Sequence, residues 1–191
     1  CSEKPIEWTT SVWDINSLEF MTQFDVPFIK IPSAQITNKQ LIESITKIDH
    51  FYILSTGMMN WDMVDEVVNV LEKHKVKYAL LHCNSTYPAP TNELNLSVIP
   101  EMKKRYGCIV GYSGHEFDLE PSMIAAVMGA QIIERHVTLD HEMWGTDQKS
   151  SLEVHAMDLL KKRIINIRSM LGSIEKKITE SEKDVMKKLR G

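Results

Sequence analysis

Residues 51–83, FYILSTGMMNWDMVDEVVNVLEKHKVKYALLHC, decide the fold class of this chain. Two short apolar runs, Phe51–Ser55 and Tyr78–His82, flank a segment over Asn60–His74 whose apolar residues recur at helical spacing. A strand, a helix and a second strand in this order predict a right-handed crossover between parallel strands. Because both faces of a parallel sheet are covered, its strands are expected to be apolar throughout, as these two are.

The same unit recurs along the rest of the chain. Four further strands are predicted, at Ile6–Val12, Phe28–Pro32, Cys108–Tyr112 and Gln131–Val137. Five further helices are predicted, at Ser17–Gln23, Asn38–Lys47, Leu96–Tyr106, Glu120–Met128 and Leu152–Leu171. Gly107 is predicted to end the fourth helix of the series, and Ser150 with Glu153 to form a capping box before the last. No linker or low-complexity stretch divides the chain, which indicates one domain.

The composition is that of a soluble globular protein, with 43% hydrophobic and 25% charged residues. A formal net charge of −4 argues against a general binder of nucleic acid or anionic membranes. The basic residues over 176–190 alternate with acidic ones, which favours a solvated helix face. The odd set of Cys1, Cys83 and Cys108 predicts reduced thiols in a cytoplasmic protein. The N-terminus has no secretory signal pattern. A chain that opens at Cys1, with no initiator methionine, is expected to be a fragment or a natural chain that lacks its beginning.

Polar residues cluster where the predicted strands end, and their distribution bears on the architecture. Six strands would suffice for a doubly wound open sheet, whereas a (β/α)8 barrel needs eight. An open sheet concentrates its site at one switch point, whereas a barrel draws its site from many strand ends. The six units all contribute, which favours an incomplete (β/α)8 TIM barrel of the α/β class, lacking two strands. The contributing residues are Ser11, Ser33, Ser55, Ser85, Ser113 and His136.

Lys30 is the most informative single residue, because it interrupts an apolar strand between Ile29 and Ile31. A buried ammonium is costly unless it faces an anion. The hydroxyls that end neighbouring units and the Thr56-Gly57 turn would complete a phosphate or carboxylate pocket around it. The alternative is a lysine that snorkels to solvent at the end of the strand.

His115 and His136 follow the last two strands, which should be neighbours about 4.8 Å apart. Two imidazoles at adjacent strand ends can bind one divalent metal, with water or substrate completing its ligand shell as in a Lewis-acid site. The alternative is a structural, hydrogen-bonded histidine pair. Glu134 should share the face of His136, with Arg135 pointing away. His82 is expected to be structural, and no role is assigned to His50, His74, His141 and His155.

Two loop segments add weaker candidates. Asp147 could bind substrate hydroxyls or orient a water molecule, and it could equally be a plain loop aspartate. The segment Tyr87-Pro88-Ala89-Pro90 could hold Ser85 and Tyr87 over the site, or simply stiffen a long connection.

Five motifs, each following a strand, together resemble a known family. They are Lys30-Ile31-Pro32-Ser33-Ala34, Leu54-Ser55-Thr56-Gly57-Met58, Leu81-His82-Cys83-Asn84-Ser85-Thr86-Tyr87-Pro88, Gly111-Tyr112-Ser113-Gly114-His115-Glu116 and Ile133-Glu134-Arg135-His136. From about Trp8 to Lys183 the chain resembles the N-acetylneuraminate (sialic acid) synthases, which include the spore-coat polysaccharide, legionaminate and pseudaminate synthases.

The resemblance implies a fold, a reaction and a set of roles. The fold is a (β/α)8 barrel, and the reaction is a phosphoenolpyruvate-dependent condensation with N-acetylmannosamine or a related sugar, with or without a 6-phosphate, that releases phosphate. Tyr87 would line the sugar site and Asp147 would contact the sugar or the attacking water. His115 and His136 would hold Mn2+, with Mg2+ or Co2+ as alternatives, in a homodimeric enzyme. The phosphoenolpyruvate-binding residues would be Ser11, Lys30, Ser33, Ser55, Ser85 and Ser113.

Departures from the family pattern qualify these roles. Gln35, at a substrate-contacting position, stands where many members have an acid, which puts any acid–base task there in doubt. Gly114 stands where an aspartate commonly precedes the metal-binding histidine. Residues 1–191 would form one partial barrel domain, without the family's first two strands and its C-terminal antifreeze-like domain. The rival interpretations are another phosphate-binding barrel aldolase or lyase, with Lys30 as a Schiff-base nucleophile, and a truncated, non-catalytic barrel.

Overall fold

The computed structural model describes residues 3–4 and 6–190 and is built on a five-stranded parallel sheet. The strands lie in the order β1-β2-β3-β4-β5, so each is paired with its neighbours in the chain. They are β1 Ile29–Ile31, β2 Phe51–Ser55, β3 Lys77–Cys83, β4 Ile109–Gly114 and β5 Ile132–Arg135. This order confirms the parallel sheet expected from repeated strand–helix units.

Helices alternate with the strands of the sheet, as the spacing of apolar residues predicts, and two further helices follow its last strand. They are α1 Ile15–Met21, α2 Lys39–Ile45, α3 Trp61–Lys73, α4 Val98–Tyr106, α5 Glu120–Val127, α6 Val154–Leu171 and α7 Glu180–Arg190. The starts of α1, α2 and α3 are fixed by Asp14, Asn38 and Asn60, whose side chains accept a hydrogen bond from the backbone N–H three residues on. Gly107 ends α4 with a φ of 62°, a left-handed conformation that glycine adopts without strain, as predicted.

Two sequence predictions were wrong at the edges of the sheet. The run Ile6–Val12 is a strand only at Ser11, which forms an isolated parallel bridge with Lys30. This outer segment has β1 alone as its neighbour, and its ladder consists of two backbone hydrogen bonds, from Lys30 N to Thr10 O and from Val12 N to Lys30 O.

The second error concerns the start of the last long helix. Leu152–Glu153 forms strand β7, which pairs in parallel with β6, Val137–Thr138, so α6 begins at Val154. The N–H of Leu152 donates to the carbonyl of His136 at 2.8 Å, and this hydrogen bond places Leu152 in the strand. No capping box forms, because the helix cap is Glu153 without a side-chain bond and the buried Ser150 hydroxyl has no partner.

The two faces of the sheet have different environments, which positions the site. Alternate strand residues pack under the helices in the main core, among them Ile29, Ile31, Tyr52 and Leu80. The opposite face has a small apolar cluster of Ile53, Ala79 and Leu81. Beyond that cluster, towards the carboxyl ends of the strands, this inner face becomes polar.

The sheet is curled so that its first and last strands approach across the inner face. In a flat sheet, β1 and β5 would be four strand spacings apart, about 19 Å. Instead, Lys30 Nζ on β1 lies 3.6 Å from Glu134 Oε1 on β5. The described part of the chain is therefore an α/β half-barrel whose inner face is concave.

Three further predictions concern the surface and the cysteines. Helix α7 is largely exposed along its length, as expected for the alternating charges there. Cys83 and Cys108 are free thiols, and Cys1 lies outside the described residues. Among the residues described, no helix is both long and apolar enough to cross a membrane.

Candidate functional site

A cleft of about 310 Å³ opens at the carboxyl ends of the strands on the concave face. Nine of the eleven predicted site residues line it: Ser11, Lys30, Ser33, Ser55, Ser85, Tyr87, Ser113, His115 and His136. The remaining lining residues are Trp13, Pro32, Ala34, Met58, Cys83 and Glu134. A larger cavity of about 600 Å³ lies beyond Cys83 and Ser85 among Met58, Trp61 and Met102. It lacks a lysine or arginine, so the smaller cleft is the better candidate for an anionic ligand.

Lys30 projects into this cleft and does not snorkel to solvent, since it is only 6% exposed. Its ammonium donates to Ser55 Oγ at 2.8 Å and to the carbonyl of Ile31 at 3.3 Å. Burial lowers the pKa of Lys30, and the nearby Glu134 carboxylate opposes that effect. A partly desolvated cation beside a hydroxyl is suited to bind phosphate or carboxylate.

Glu134 is the functional candidate that the sequence interpretation missed. Its carboxylate lies 3.6 Å from the Lys30 ammonium and accepts a 2.7 Å hydrogen bond from Ser113. The signal was available, because a buried lysine requires a counter-charge and Glu134 shares a strand face with His136. As predicted, Arg135 points to the other face, where its side chain is fully buried.

The hydroxyl groups and the Gly57 turn pack closely beside Lys30. Ser33 Oγ accepts a hydrogen bond from the Gly57 N–H at 3.0 Å. A Cβ at position 57 would lie only 2.1 Å from Ser85 Oγ and 2.7 Å from Ser33 Oγ. Glycine is therefore required for this close approach of the backbone to the hydroxyls. The buried thiol of Cys83 lies between them, 3.6 Å from Ser33 Oγ and 3.9 Å from Ser85 Oγ.

The two histidines stand side by side, with ring centroids 5.3 Å apart. Ring nitrogen Nδ1 of His115 is 2.7 Å from the carbonyl of Asn84, which assigns the ring proton to Nδ1 and leaves Nε2 as an acceptor. The Tyr87 hydroxyl donates to that Nε2 at 2.9 Å. Burial lowers the pKa of both His115 and His136, so both rings are neutral near pH 7.

This donor set fits a divalent metal ion that keeps open positions. A metal-binding histidine typically donates its second ring N–H to a carbonyl or carboxylate, as His115 does to Asn84. No hydrogen bond joins the rings of His115 and His136, in contrast to the structural-pair alternative. Over residues 3–4 and 6–190, no cluster of three or more His, Cys, Asp or Glu could hold a metal. An ion here would therefore take its other ligands from water or substrate, as a Lewis-acid site requires.

Two predicted site residues lie outside the lining of the cleft. Asp147 is half exposed, and its carboxylate is 3.9 Å from His136 Nδ1, so it borders the metal-binding candidates. The side chain of Gln35 accepts a 2.9 Å hydrogen bond from Asn38, beside the start of α2. Tyr87 does line the cleft, with its ring centroid 4.1 Å from that of His115.

His82, predicted to be structural, makes a 2.7 Å contact through Nε2 with the carbonyl of Leu94. Burial lowers the pKa of His82 below its ordinary value, and the bond to Leu94 opposes this only in part. Between the folded-state pKa of His82 and about 6.5, the unfolded chain therefore binds more protons than the folded chain. The stability contributed by the neutral ring is consequently lost as the pH falls through this range. We expect the free energy of unfolding to decline less steeply from pH 7 to pH 5 in His82→Gln than in the native protein. Urea unfolding across this range measures it, with His155→Gln at an exposed position as the control, and equal slopes for native protein and His82→Gln would contradict the expectation.

Comparison with known proteins supplies the family. A model of the NeuB family matches residues 1–176. The chain belongs to this family. The resemblance inferred from the five strand-end motifs is thereby confirmed.

Several curated relatives of this NeuB-family chain are synthases of sialic acid-type sugars. It is 38% identical to the N,N'-diacetyllegionaminic acid synthase of Campylobacter jejuni over 180 residues, which are 93% of this chain and 54% of the relative. It is 35% identical to the N-acetylneuraminate-9-phosphate synthase of Drosophila melanogaster over 193 residues, covering 100% of this chain and 50% of the relative. The chain thus spans about half the length of these relatives.

The fold agrees with a solved structure of the same type. The N-acetylneuraminic acid synthetase of Leptospira borgpetersenii superposes with a TM-score of 0.85 at 31% identity. The match covers 94% of this chain and 64% of that one. The half-barrel is therefore the arrangement that a sialic acid synthetase contains.

Proposed function

We propose that the protein catalyses the condensation of phosphoenolpyruvate with N-acetylmannosamine or a related N-acylated amino sugar, releasing phosphate, on a (β/α)8 barrel of which this chain forms part. The observation that carries the proposal is the shared cleft of about 310 Å³, which is lined by a buried ammonium and two imidazoles. Family membership supports the reaction class. The same family likeness underlies the proposal of a homodimer, which light scattering would test.

Phosphoenolpyruvate would bind at the Lys30 side of the cleft. Its phosphate and carboxylate need donors, and Lys30 Nζ, Ser33 Oγ and Ser55 Oγ lie within this small space. Binding would draw the ammonium from Glu134 towards the anion. The Glu134 carboxylate would then remain hydrogen-bonded to Ser113, facing the cleft.

The sugar would bind at the histidine side, against Tyr87 and near Asp147. His115 and His136 would hold a divalent ion, with Mn2+ proposed first, and when bound this ion supplies Lewis-acid polarisation of the aldehyde oxygen of the open-chain sugar. Asp147 would bind a sugar hydroxyl or orient water. Tyr87 would donate its hydroxyl proton to a sugar oxygen once it is released from His115 Nε2.

The reaction then balances without any further cofactor. The enol carbon of phosphoenolpyruvate attacks the aldehyde carbon and forms the new C–C bond, leaving a positive centre at the carbon that bears the phosphate. Water adds there and loses a proton, which balances the proton that the aldehyde oxygen takes up as it becomes a hydroxyl. Phosphate then leaves as its C–O bond breaks, and the hydroxyl that water supplied loses its proton and becomes the ketone oxygen. Lys30 and the neighbouring hydroxyls would stabilise the departing anion.

The test is release of inorganic phosphate from phosphoenolpyruvate in the presence of sugar and Mn2+, followed by the mass of the product. Sugars with and without a 6-phosphate would be compared, and reactions without sugar would measure background hydrolysis. The Campylobacter jejuni synthase with its own sugar would serve as the positive control. Sugar-dependent release is the expected result, whereas none with any sugar would favour a non-catalytic barrel.

One observation favours a second candidate, a Schiff-base aldolase or lyase. Burial lowers the pKa of Lys30, and amine-nucleophile lysines are activated in this way. Borohydride reduction with pyruvate would trap such an adduct on Lys30, detected as a mass increase on the peptide that contains it. The synthase proposal predicts no trapped adduct.

A further inference from the structure

A buried ion pair lies directly behind the two histidines. Arg135 Nη1 and Glu116 Oε1 are 3.0 Å apart, and their side chains are 0% and 2% exposed. Glu116 is the residue after His115, and Arg135 is the residue before His136. The pair therefore joins the backbone at the two histidine positions, on the face of the sheet that points away from the cleft.

Hydrogen bonds hold both partners in one orientation. Tyr112 on β4 donates its hydroxyl proton to Glu116 Oε2 at 2.7 Å. Arg135 donates through Nη1 to the carbonyl of Asp118 at 3.0 Å and to Ser122 Oγ at 3.1 Å, and through Nη2 to the carbonyl of Glu116. One guanidinium on β5 thus holds two main-chain carbonyls of the segment that follows β4.

Gly114 provides the space for this arrangement. A Cβ at position 114 would lie 2.8 Å from both carboxylate oxygens of Glu116 and 2.8 Å from Tyr112 Cε1. Any side chain there would displace the Glu116 carboxylate, since an approach under 3.0 Å forces a shift. The position of the ion pair therefore depends on a glycine at position 114, immediately before His115.

We propose that Glu116 and Arg135 are a positioning pair that fixes the spacing of His115 and His136, and so tunes the affinity of the metal site. His115 and His136 directly follow β4 and β5, whose ladder ends at the pair Gly114 and Arg135. No hydrogen bond joins the two imidazoles, and the ion pair is a side-chain link between the two segments at the point where the ladder ends. Glu116→Gln leaves the buried guanidinium as an uncompensated charge. Arg135→Lys keeps the charge but loses the forked hydrogen bonds to the segment after β4. Either change is expected to shift the backbone around the pair. The metal part of this inference rests on the proposed function, whereas the positioning part does not.

The experiment compares Glu116→Gln and Arg135→Lys with a matched control, Asp65→Asn. Asp65 accepts hydrogen bonds from Arg105 and Tyr106, so it belongs to a similar carboxylate–arginine–tyrosine group, but on α3 and α4 away from the cleft. Binding of Mn2+ is followed by the electron paramagnetic resonance signal of the free ion, which requires no turnover. We expect each of the two variants to bind Mn2+ about 10- to 100-fold more weakly, while Asp65→Asn binds as the native protein does. Thermal unfolding of all three variants verifies that they remain folded.

A second readout tests positioning without metal. The ring 15N signals of the histidines are recorded in metal-free protein, and in each variant the informative signal is that of the histidine on the other segment. Glu116→Gln should shift the signal of His136, and Arg135→Lys should shift the signal of His115. Neither histidine is the sequence neighbour of the substituted residue. Lower melting temperatures with native Mn2+ affinity and unshifted distant signals would show a merely structural pair and overturn the proposal. If the native protein binds no Mn2+, the proposed metal site is refuted. The 15N signals of His136 in Glu116→Gln and of His115 in Arg135→Lys then decide alone whether the pair positions the imidazoles.

Discussion

Replacing His115 or His136 with alanine is expected to abolish metal-dependent turnover, with a fall in kcat/KM of at least about 10³-fold for either variant. The reason is the size of the donor set. The cleft offers two imidazoles, and among the described residues no group of three or more His, Cys, Asp or Glu is arranged to hold a metal. Loss of either ring would leave a single protein ligand, which cannot retain the ion at micromolar concentrations.

The measurement is phosphate release over a range of Mn2+ concentrations, together with direct Mn2+ binding. His50→Ala is the matched control, because His50 contacts the backbone at the start of β2, at the opposite end of the strands. It should retain native turnover. Normal Mn2+ binding by both His115→Ala and His136→Ala would refute the site, even if turnover were lost.

The prediction of the fold from sequence succeeded where the signal was local. Continuous apolar runs and helical spacing located the strands β1 to β5 and the helices between them, and the single glycine at position 107 ended α4. The two errors arose where tertiary contacts decided the outcome: Ile6–Val12 has β1 alone as its neighbour, and at Leu152 one tertiary bond outweighed local preference. Leu152 has the neighbours of a helix start, yet its N–H bonds to His136 and places it in a strand.

The sequence predicted most of the residues that form the candidate site, but not the contacts between them. Alternation along each strand, and the rule that barrel sites lie at carboxyl ends, were enough to bring Lys30 and both histidines into one cleft. The partner of Lys30 was not predictable in this way. Three strands separate Glu134 on β5 from Lys30 on β1 in the sheet. The two side chains meet only because the sheet curls, and no local sequence pattern encodes that curl.

Replacing Lys30 with methionine is expected to weaken the binding of phosphoenolpyruvate by about 10- to 150-fold, the worth of a hydrogen bond to a charged group, and to leave sugar binding nearly unchanged. Fold stability should be retained or raised, because methionine fills a similar volume without the cost of burying a cation. The Glu134 side chain is 41% exposed, so its carboxylate can be solvated when the ammonium is gone. The same carboxylate would then repel the anionic substrate, which adds to the loss of affinity.

Calorimetric titration with each substrate separately, alongside urea unfolding, measures these effects. Lys77→Met is the control, since Lys77 is an exposed lysine at the opposite end of β3 and its ion pair with Asp49 lies at the surface. Equal weakening of phosphoenolpyruvate and sugar would contradict the placement of the phosphate beside Lys30. Unaltered phosphoenolpyruvate binding would be more serious, because the cost of burying this cation would then have no ligand to explain it. Lost binding with intact stability would instead show that the buried charge is retained for the substrate and not for the fold.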